Sequence, residues 1–204
     1  MSFEKDFIEQ NFRSLYRKIY KTSKARFNAH SRLKAQYFAL HWSLSFFSLG
    51  LIVIPLIRLS GLQISIDSKI LDLLQITLAM FVLVYSLILS SSHSKDKIEK
   101  MHRCGLELNH LAREMLPYCK DEGEFDIEVY NKYQDKYSLK LNAYDNHSKI
   151  DFAFYKLENL DEYPLSWIQR NCIIVKYFLY YWPSILLVVI GISIMAYIAK
   201  NIIF

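Results

Sequence analysis

Residues 38–57 read FALHWSLSFFSLGLIVIPLI, a run with no Asp, Glu, Lys or Arg. An α-helix of about 20 apolar residues matches a bilayer hydrocarbon core of roughly 30 Å. The uncharged interval extends from Lys34 to Arg58, and two others follow it, from Asp72 to Lys95 and from Lys176 to Lys200. They define two further windows, Leu73–Ser92 and Tyr177–Ala199. The 204-residue chain is 52% hydrophobic and 22% charged, so its average says little and the segregation decides the fold class. A helix buried in a soluble core seldom stays apolar all round for so long. The expectation is an all-α membrane protein with three transmembrane helices, some of them extending into a cytoplasmic helical bundle.

Working outward, Glu4, Lys5, Asp6 and Glu9 occupy the place where a cleavable signal would carry its apolar region. The first span is therefore read as a permanent anchor. Lys18, Lys21, Lys24, Arg26, Arg32 and Lys34 precede it, and Lys95, Lys97, Lys100 and Arg103 follow the second span. The loop between them offers only Arg58 and Lys69. Basic residues stay on the cytoplasmic side. That rule places the N-terminus and the middle of the chain in the cytoplasm, and the last residues in the periplasm or outside. Tyr37 and Trp42, and later Tyr177, Tyr180, Tyr181 and Trp182, mark inner interfaces. The direction of the third span rests on chain parity. Cys104, Cys119 and Cys172 fall on the reducing side and are read as free thiols.

Four regions follow. Residues 1–37 are a cytoplasmic amphipathic N-terminal helix, with Ile8, Phe12, Leu15 and Ile19 at helical spacing and, after a slip, Phe27 and Leu33. With no Pro or Gly, it is expected to run straight into the first span. Residues 38–92 are a transmembrane hairpin turning near Ser60-Gly61. Residues 93–176 are a cytoplasmic helical region, and 177–204 a third transmembrane helix with an external C-terminus. The second span is expected to continue inward as one helix from about Ile70 to Leu116, since Ile98, Met101, Gly105, Leu108, Leu111 and Met115 keep its spacing. Lys120–Asp126 reads as a linker, and Ile127, Tyr130, Tyr137, Leu141 and Tyr144 form the next stripe. A helix from Lys149 to Leu160 follows. After Pro164, Ser166–Tyr177 leads helically into the third span.

No enzyme motif stands out: there is no GxSxG, P-loop, HExxH or CxxC pair. The chain is read as non-enzymatic, with no cofactor and no metal site. His110 and Glu114, four apart, suit a hydrogen-bonded surface pair. The nine basic and three acidic residues of 1–37 fit lipid contact and topology determination, with nucleic-acid or nucleotide binding left open. The spans carry more information. Asp72, Gln75, Ala79, Val82, Ser86 and His93 share one helical face, and His41, Ser45, Ser48, Ile52 and Pro55 share another. A small, polar stripe facing lipid is wasteful. The two stripes are therefore expected to face each other in the hairpin, as helix packing or as the lining of an oligomeric pore. Asp72 suits a cation entrance ring or a helix cap.

Ser23-Lys24-Ala25-Arg26-Phe27 and Ser31-Arg32-Leu33-Lys34 lead into this hairpin. Tyr137, Leu141, Tyr144, Asn146-His147 and Asp151 follow later. This arrangement resembles the SLATT family, two-span membrane effectors of bacterial second-messenger immunity systems. The extra C-terminal span resembles its fifth subfamily, whose members tend to be encoded beside reverse transcriptases. The resemblance implies a pore-forming or membrane-disrupting effector of an anti-phage abortive-infection system in the bacterial inner membrane. It also implies homo-oligomerisation and a regulatory partner encoded nearby, a reverse transcriptase or nucleotide-signalling enzyme. The alternative is a non-toxic, membrane-anchored scaffold that recruits a cytosolic partner. Asn146, His147 and Asp151 sit where Asn and Asp cap backbone groups between helices. His147 is expected to tie those helices to the inner extension of the second span.

Overall fold

A computed structural model describes residues 2–61, 66–91, 94–119 and 126–200. Every regular element among them is a helix: α1 (Ser2–Leu59), α2 (Ser68–Ser91), α3 (Ser94–Cys119), α4 (Ile127–Asn142), α5 (Lys149–Glu158) and α6 (Trp167–Lys200). α1 runs unbroken for 58 residues, about 87 Å at 1.5 Å per residue. It therefore continues from the amphipathic segment into the first span, as its lack of internal breakers implied. Pro55 lies within the last turns, and the helix ends where Gly61 takes a φ of 72°, a conformation that costs glycine nothing. The expected join of the second span to its extension falls at residues 92–93, and most of the linker at 120–125. Both lie outside the described residues, as does His93.

The helices form two compact units. The first comprises Met1–Leu33 and Lys95–Tyr177. Phe12, Leu15 and Ile19 of α1 are buried with Cys104, Leu108, Leu111, Ala112 and Met115 of α3 and Tyr137 of α4. Phe12 stacks on Tyr118 at 5.4 Å and meets Tyr130 edge-on at 5.5 Å. Tyr130, Leu141 and Tyr144 pack against this core as their spacing implied, while Ile127 at the start of α4 is exposed. Asp126 caps α4 by accepting the Glu128 amide at 2.9 Å. Ser148 opens α5 with a capping box whose second member is Asp151. Glycine at position 105 lets α1 and α3 come close: a Cβ there would sit 3.0 Å from the Phe27 ring.

The apparent slip in the α1 stripe has a physical cause. After Ile19 the buried positions are Ser23, Ala25, Arg26, Ala29 and Arg32. The buried face continues without a shift, but polar side chains occupy part of it.

The second unit comprises Lys34–Ser94 and Phe178–Phe204. Phe47, Ile54 and Ile57 of α1 are buried with Ile66, Leu71 and Leu78, and Leu187 and Ile194 of α6 pack against them. Phe47 stacks on Phe81 at 5.6 Å. A Cβ on Gly191 would lie 3.0 Å from Phe46 Cβ, so glycine sets the close approach of α6 to α1. α6 bends by 49° between its segments Trp167–Trp182 and Ile185–Ile194. Gln36 Nε2 donates to the Tyr180 carbonyl at 2.7 Å, beside the bend. Two helices, α1 and α2, are long and apolar enough to cross a membrane, and a third joins them if the bent halves of α6 count as one span.

Candidate functional sites: the membrane helices and a polar seam on the first helix

In the second unit, Leu71 and Leu78, with Leu74, Val82 and Tyr85 partly buried, form the packed face of α2. At about 100° per residue, the stripe of Asp72, Gln75, Ala79 and Ser86 lies roughly 80° round from it. The stripe of His41, Ser45 and Ser48 lies about 150° round α1 from Phe47, Ile54 and Ile57, by the same geometry. The two stripes therefore do not face each other as wholes: of the α2 stripe, Val82 joins the aromatic and aliphatic packing between α1 and α2, and Asp72 reaches α1 through Arg58. Ser45, Asp72, Ala79 and Ser86 are exposed, and His41, Ser48 and Gln75 are half-buried.

Part of the reason is local. Ser43, Ser45 and Thr77 return their hydroxyls to the carbonyls four residues back, at 2.8, 3.0 and 2.8 Å. A serine so satisfied needs no polar neighbour, so its presence does not force that face inward. Gln75 is different, because its amide makes no hydrogen bond among the described residues. His41 lies 4.3 Å from the Tyr37 ring, and its Nε2 is buried with no partner. Asp72 does not cap α2. The Asp67 carboxylate does so through the Lys69 amide at 2.9 Å, and Asp72 accepts from Arg58 Nη1 at 2.6 Å. Leu73, Ile76, Met80, Leu83 and Leu87 are also exposed on α2, an apolar surface suited to lipid.

In the first unit, Arg26, Arg32, Tyr137, Leu141, Asn146, His147 and Asp151 come together around α1. Arg32, nearly buried, donates from Nε and Nη2 to the fully buried Asp151 carboxylate at 2.7 and 3.0 Å, a bidentate ion pair. The same carboxylate accepts the Ser148 amide at 2.9 Å, so one group neutralises α1's charge and caps α5. Asn28 Nδ2 donates to the Asp151 carbonyl at 3.3 Å.

Arg26 is fully buried but meets no carboxylate among the described residues. Nη1 approaches Met101 Sδ and Nη2 approaches Asn146 Oδ1, both at 3.4 Å, and Nε has no partner. Tyr137 shares a hydrogen bond of 3.0 Å with Thr22, and burial raises its pKa. Burial also raises the Cys104 thiol, with the Arg26 charge opposing, so this cysteine is a protonated core residue rather than a nucleophile. His147 Nδ1 is buried without a partner among the described residues, and burial, then the Arg26 charge, hold its pKa below the ordinary value. The expected hydrogen bond from His147 to the α3 helix is not made. Arg26, between Met101 and Asn146, bridges that connection to α3 instead, and two further side chains of α1 reach α3 beside it. Ser23 Oγ donates to the Gly105 carbonyl at 2.8 Å, and His30 Nδ1 to the Ile98 carbonyl at 3.1 Å. The helical spacing of Ser23 and Arg26 from Ile19 was the available signal.

Around this seam the surface is a network of charge. Glu107 accepts from Tyr144 Oη at 2.6 Å and Lys140 Nζ at 3.0 Å. Those bonds lower the Glu107 pKa and push Tyr144 up to about 12. His110 and Lys136 both reach Glu114, at 2.9 and 3.3 Å. On the exposed face of α1, Arg13 pairs with Glu9, and Lys21 with Glu162.

The family model described as SMODS and SLOG-associating 2TM effector domain family 5 matches residues 8–198. No match was found among curated proteins or solved structures. The matched residues include α1 from Ile8, all of α2 to α5, and nearly all of α6.

Proposed function

Because the chain belongs to the SMODS and SLOG-associating 2TM effector domain family 5, we propose that it is the membrane-damaging effector of a bacterial anti-phage system. It rests inactive until a partner signals, then oligomerises and depolarises or permeabilises the inner membrane. In this reading α1, α2 and the bent α6 all span, with the N-terminus and the first unit in the cytoplasm and the C-terminus outside. The basic residues before the first span and after the second support that orientation. The regulatory partner is a reverse transcriptase or a nucleotide-signalling enzyme.

The observation that carries the proposal is the Gln75 face of α2. A lone amide in a hydrocarbon setting costs free energy unless it meets another polar group. Its own chain offers it none among the described residues, and Ala79 and Ser86 continue an exposed, small-residue path along the helix. Small and polar positions are where membrane helices associate. A second copy placed there would satisfy Gln75 and leave Asp72 near the mouth of any opening.

The test is induced expression of the activated system with a potential-sensitive dye. Rapid depolarisation is expected, and Gln75→Leu with Ser86→Leu should reduce toxicity at least tenfold while membrane insertion is unchanged. An unchanged potential, with intact dye-filled liposomes, would favour the scaffold reading instead.

A further inference from the structure

Arg26 is a cation enclosed by protein with no anion paired to it among the described residues. Buried charges are ordinarily paired, because removal from water costs more than neutral contacts return. The one buried carboxylate nearby, Asp151, is already engaged by Arg32 at two oxygens and by the Ser148 amide. What touches Arg26 is a thioether and one amide oxygen, each at the long limit of a hydrogen bond, and Nε is left over. A second orphan, His147 Nδ1, is carried by the residue that directly follows Asn146, the Arg26 contact, in the α4–α5 connection. Two unsatisfied buried polar groups in one place mark a missing partner.

We infer that Arg26 and His147 form a closed binding site for a phosphoryl group, with the Asn146 side chain as its gate. Asn146 is exposed, sits in the short connection between α4 and α5, and places its Oδ1 against the buried guanidinium, so this side chain reaches from Arg26 to the surface. Its Oδ1 occupies the position an incoming oxygen would take on Nη2. A phosphoryl group would accept from Nη2 and Nε of Arg26 in the planar fork that guanidinium offers phosphate. His147 completes the match. A dianion beside it favours the imidazolium, and two positive charges then balance two negative ones. A carboxylate, with one negative charge, would leave one of the two positive charges unbalanced.

The groups around His147 define the proton balance: Arg26 from α1 disfavours its protonation, and Asp151 from α5 favours it. Cys104 from α3 and Tyr137 from α4 are neutral, each raised by burial. A bound dianion reverses the Arg26 effect, so binding near neutral pH takes up a proton. The site links α1, α3 and the α4–α5 connection, so occupation would move the loop that also begins α5. The inference concerns binding alone. It stands or falls separately from the membrane-damage reading, which it would supply with a trigger.

The test uses the full chain in detergent, titrated with inorganic phosphate, a nucleoside monophosphate and a short-chain phosphatidic acid against chloride at equal ionic strength. A saturable rise in the thermal midpoint is expected with phosphate but not chloride. The monophosphate or the lipid binding tighter than inorganic phosphate then identifies the source. Asn146→Ala should tighten binding about tenfold, the value of one competing hydrogen bond. Arg26→Met should abolish it, and Arg17→Met, on the exposed face, should leave it unchanged. Calorimetry in two buffers should show proton uptake that His147→Gln removes. The inference is overturned if wild type and Asn146→Ala are both unresponsive, if chloride acts equally, or if Arg26→Met still binds.

Discussion

Arg26 and Arg32 lie six residues apart on one helix, both withdrawn from solvent, and their surroundings are opposite. Arg32 has a carboxylate at 2.7 and 3.0 Å that is itself held by a backbone amide. Arg26 has a sulfur, an amide oxygen at 3.4 Å and an empty Nε. The pair teaches that burial of a charge has two meanings. At Arg32 the charge is part of the architecture, fastening α5 to α1. At Arg26 it contributes little to holding the helices together, and its retention points to a partner.

The sharpest way to break the comparison is to remove the architectural member. Asp151→Ala leaves the Arg32 guanidinium buried and unpaired, which costs about 3–5 kcal/mol. It also strips the cap from α5, so the loss should fall at the upper end. Chemical denaturation in detergent measures it. Combining Asp151→Leu with Arg32→Met should recover most of the loss, because neither charge is then stranded. A loss below about 1 kcal/mol for Asp151→Ala would erase the distinction drawn between the two arginines.

A smaller effect is expected at the far side of the seam. Tyr144→Phe removes the hydroxyl that donates to Glu107, a half-exposed carboxylate, and should cost about 1 kcal/mol at neutral pH. That bond lowers the folded-state pKa of Glu107, so its contribution is present above the unfolded carboxylate range and is lost as pH falls through the lowered value. The Tyr144 pKa is raised to about 12, so its contribution holds below an unfolded value of 10.0 and is lost as pH climbs through the folded one. Thermal midpoints from pH 3 to 11 should show the gap between wild type and Tyr144→Phe closing toward the acid end and starting to narrow above pH 10.

His147 tests the electrostatics of the unpaired region more gently. Its folded pKa is depressed, so the unfolded chain binds more protons just below 6.5 and stability falls as pH drops through that window. His147→Gln should flatten the slope between pH 7 and 5 and change stability at pH 8 only slightly. A slope that survives the substitution would assign it to another group.

Much of this was legible in the residues, for reasons that vary along the chain. The membrane helices were plain because charge-free runs are long and bilayer thickness fixes their length. The continuity of α1 followed from the absence of breakers before Gly50 and Pro55. The polar seam was half legible. Asn146, His147 and Asp151 were recognisable as turn and capping residues, but their pairing with Arg32 and Arg26 spans more than a hundred positions, which local periodicity cannot report. The supposed slip after Ile19 arose because a hydrophobic template scores Ser23, Arg26 and Arg32 as surface. The serines of the α1 stripe misled in the other direction. Helical hydroxyls that bond their own backbone look as if they demand a partner, and Ser45 does not.

The smallest expected change is the most informative about Arg26. Replacing a buried cation that lacks a counter-charge by an apolar side chain of similar length removes a desolvation cost and sacrifices two long hydrogen bonds. Met101 already touches the guanidinium, so Arg26→Met should pack against a side chain of its own kind. The net should lie within about 1 kcal/mol of wild type, on either side of zero. Removing Arg26 also lifts the charge that opposes protonation of His147, so the acid-side loss of stability should shrink in the same variant. Urea midpoints at pH 7 and 5.5 read both effects. A loss of 3 kcal/mol or more, the cost of breaking a buried pair, would mean that Arg26 is held as firmly as Arg32. The two buried arginines would then do the same work.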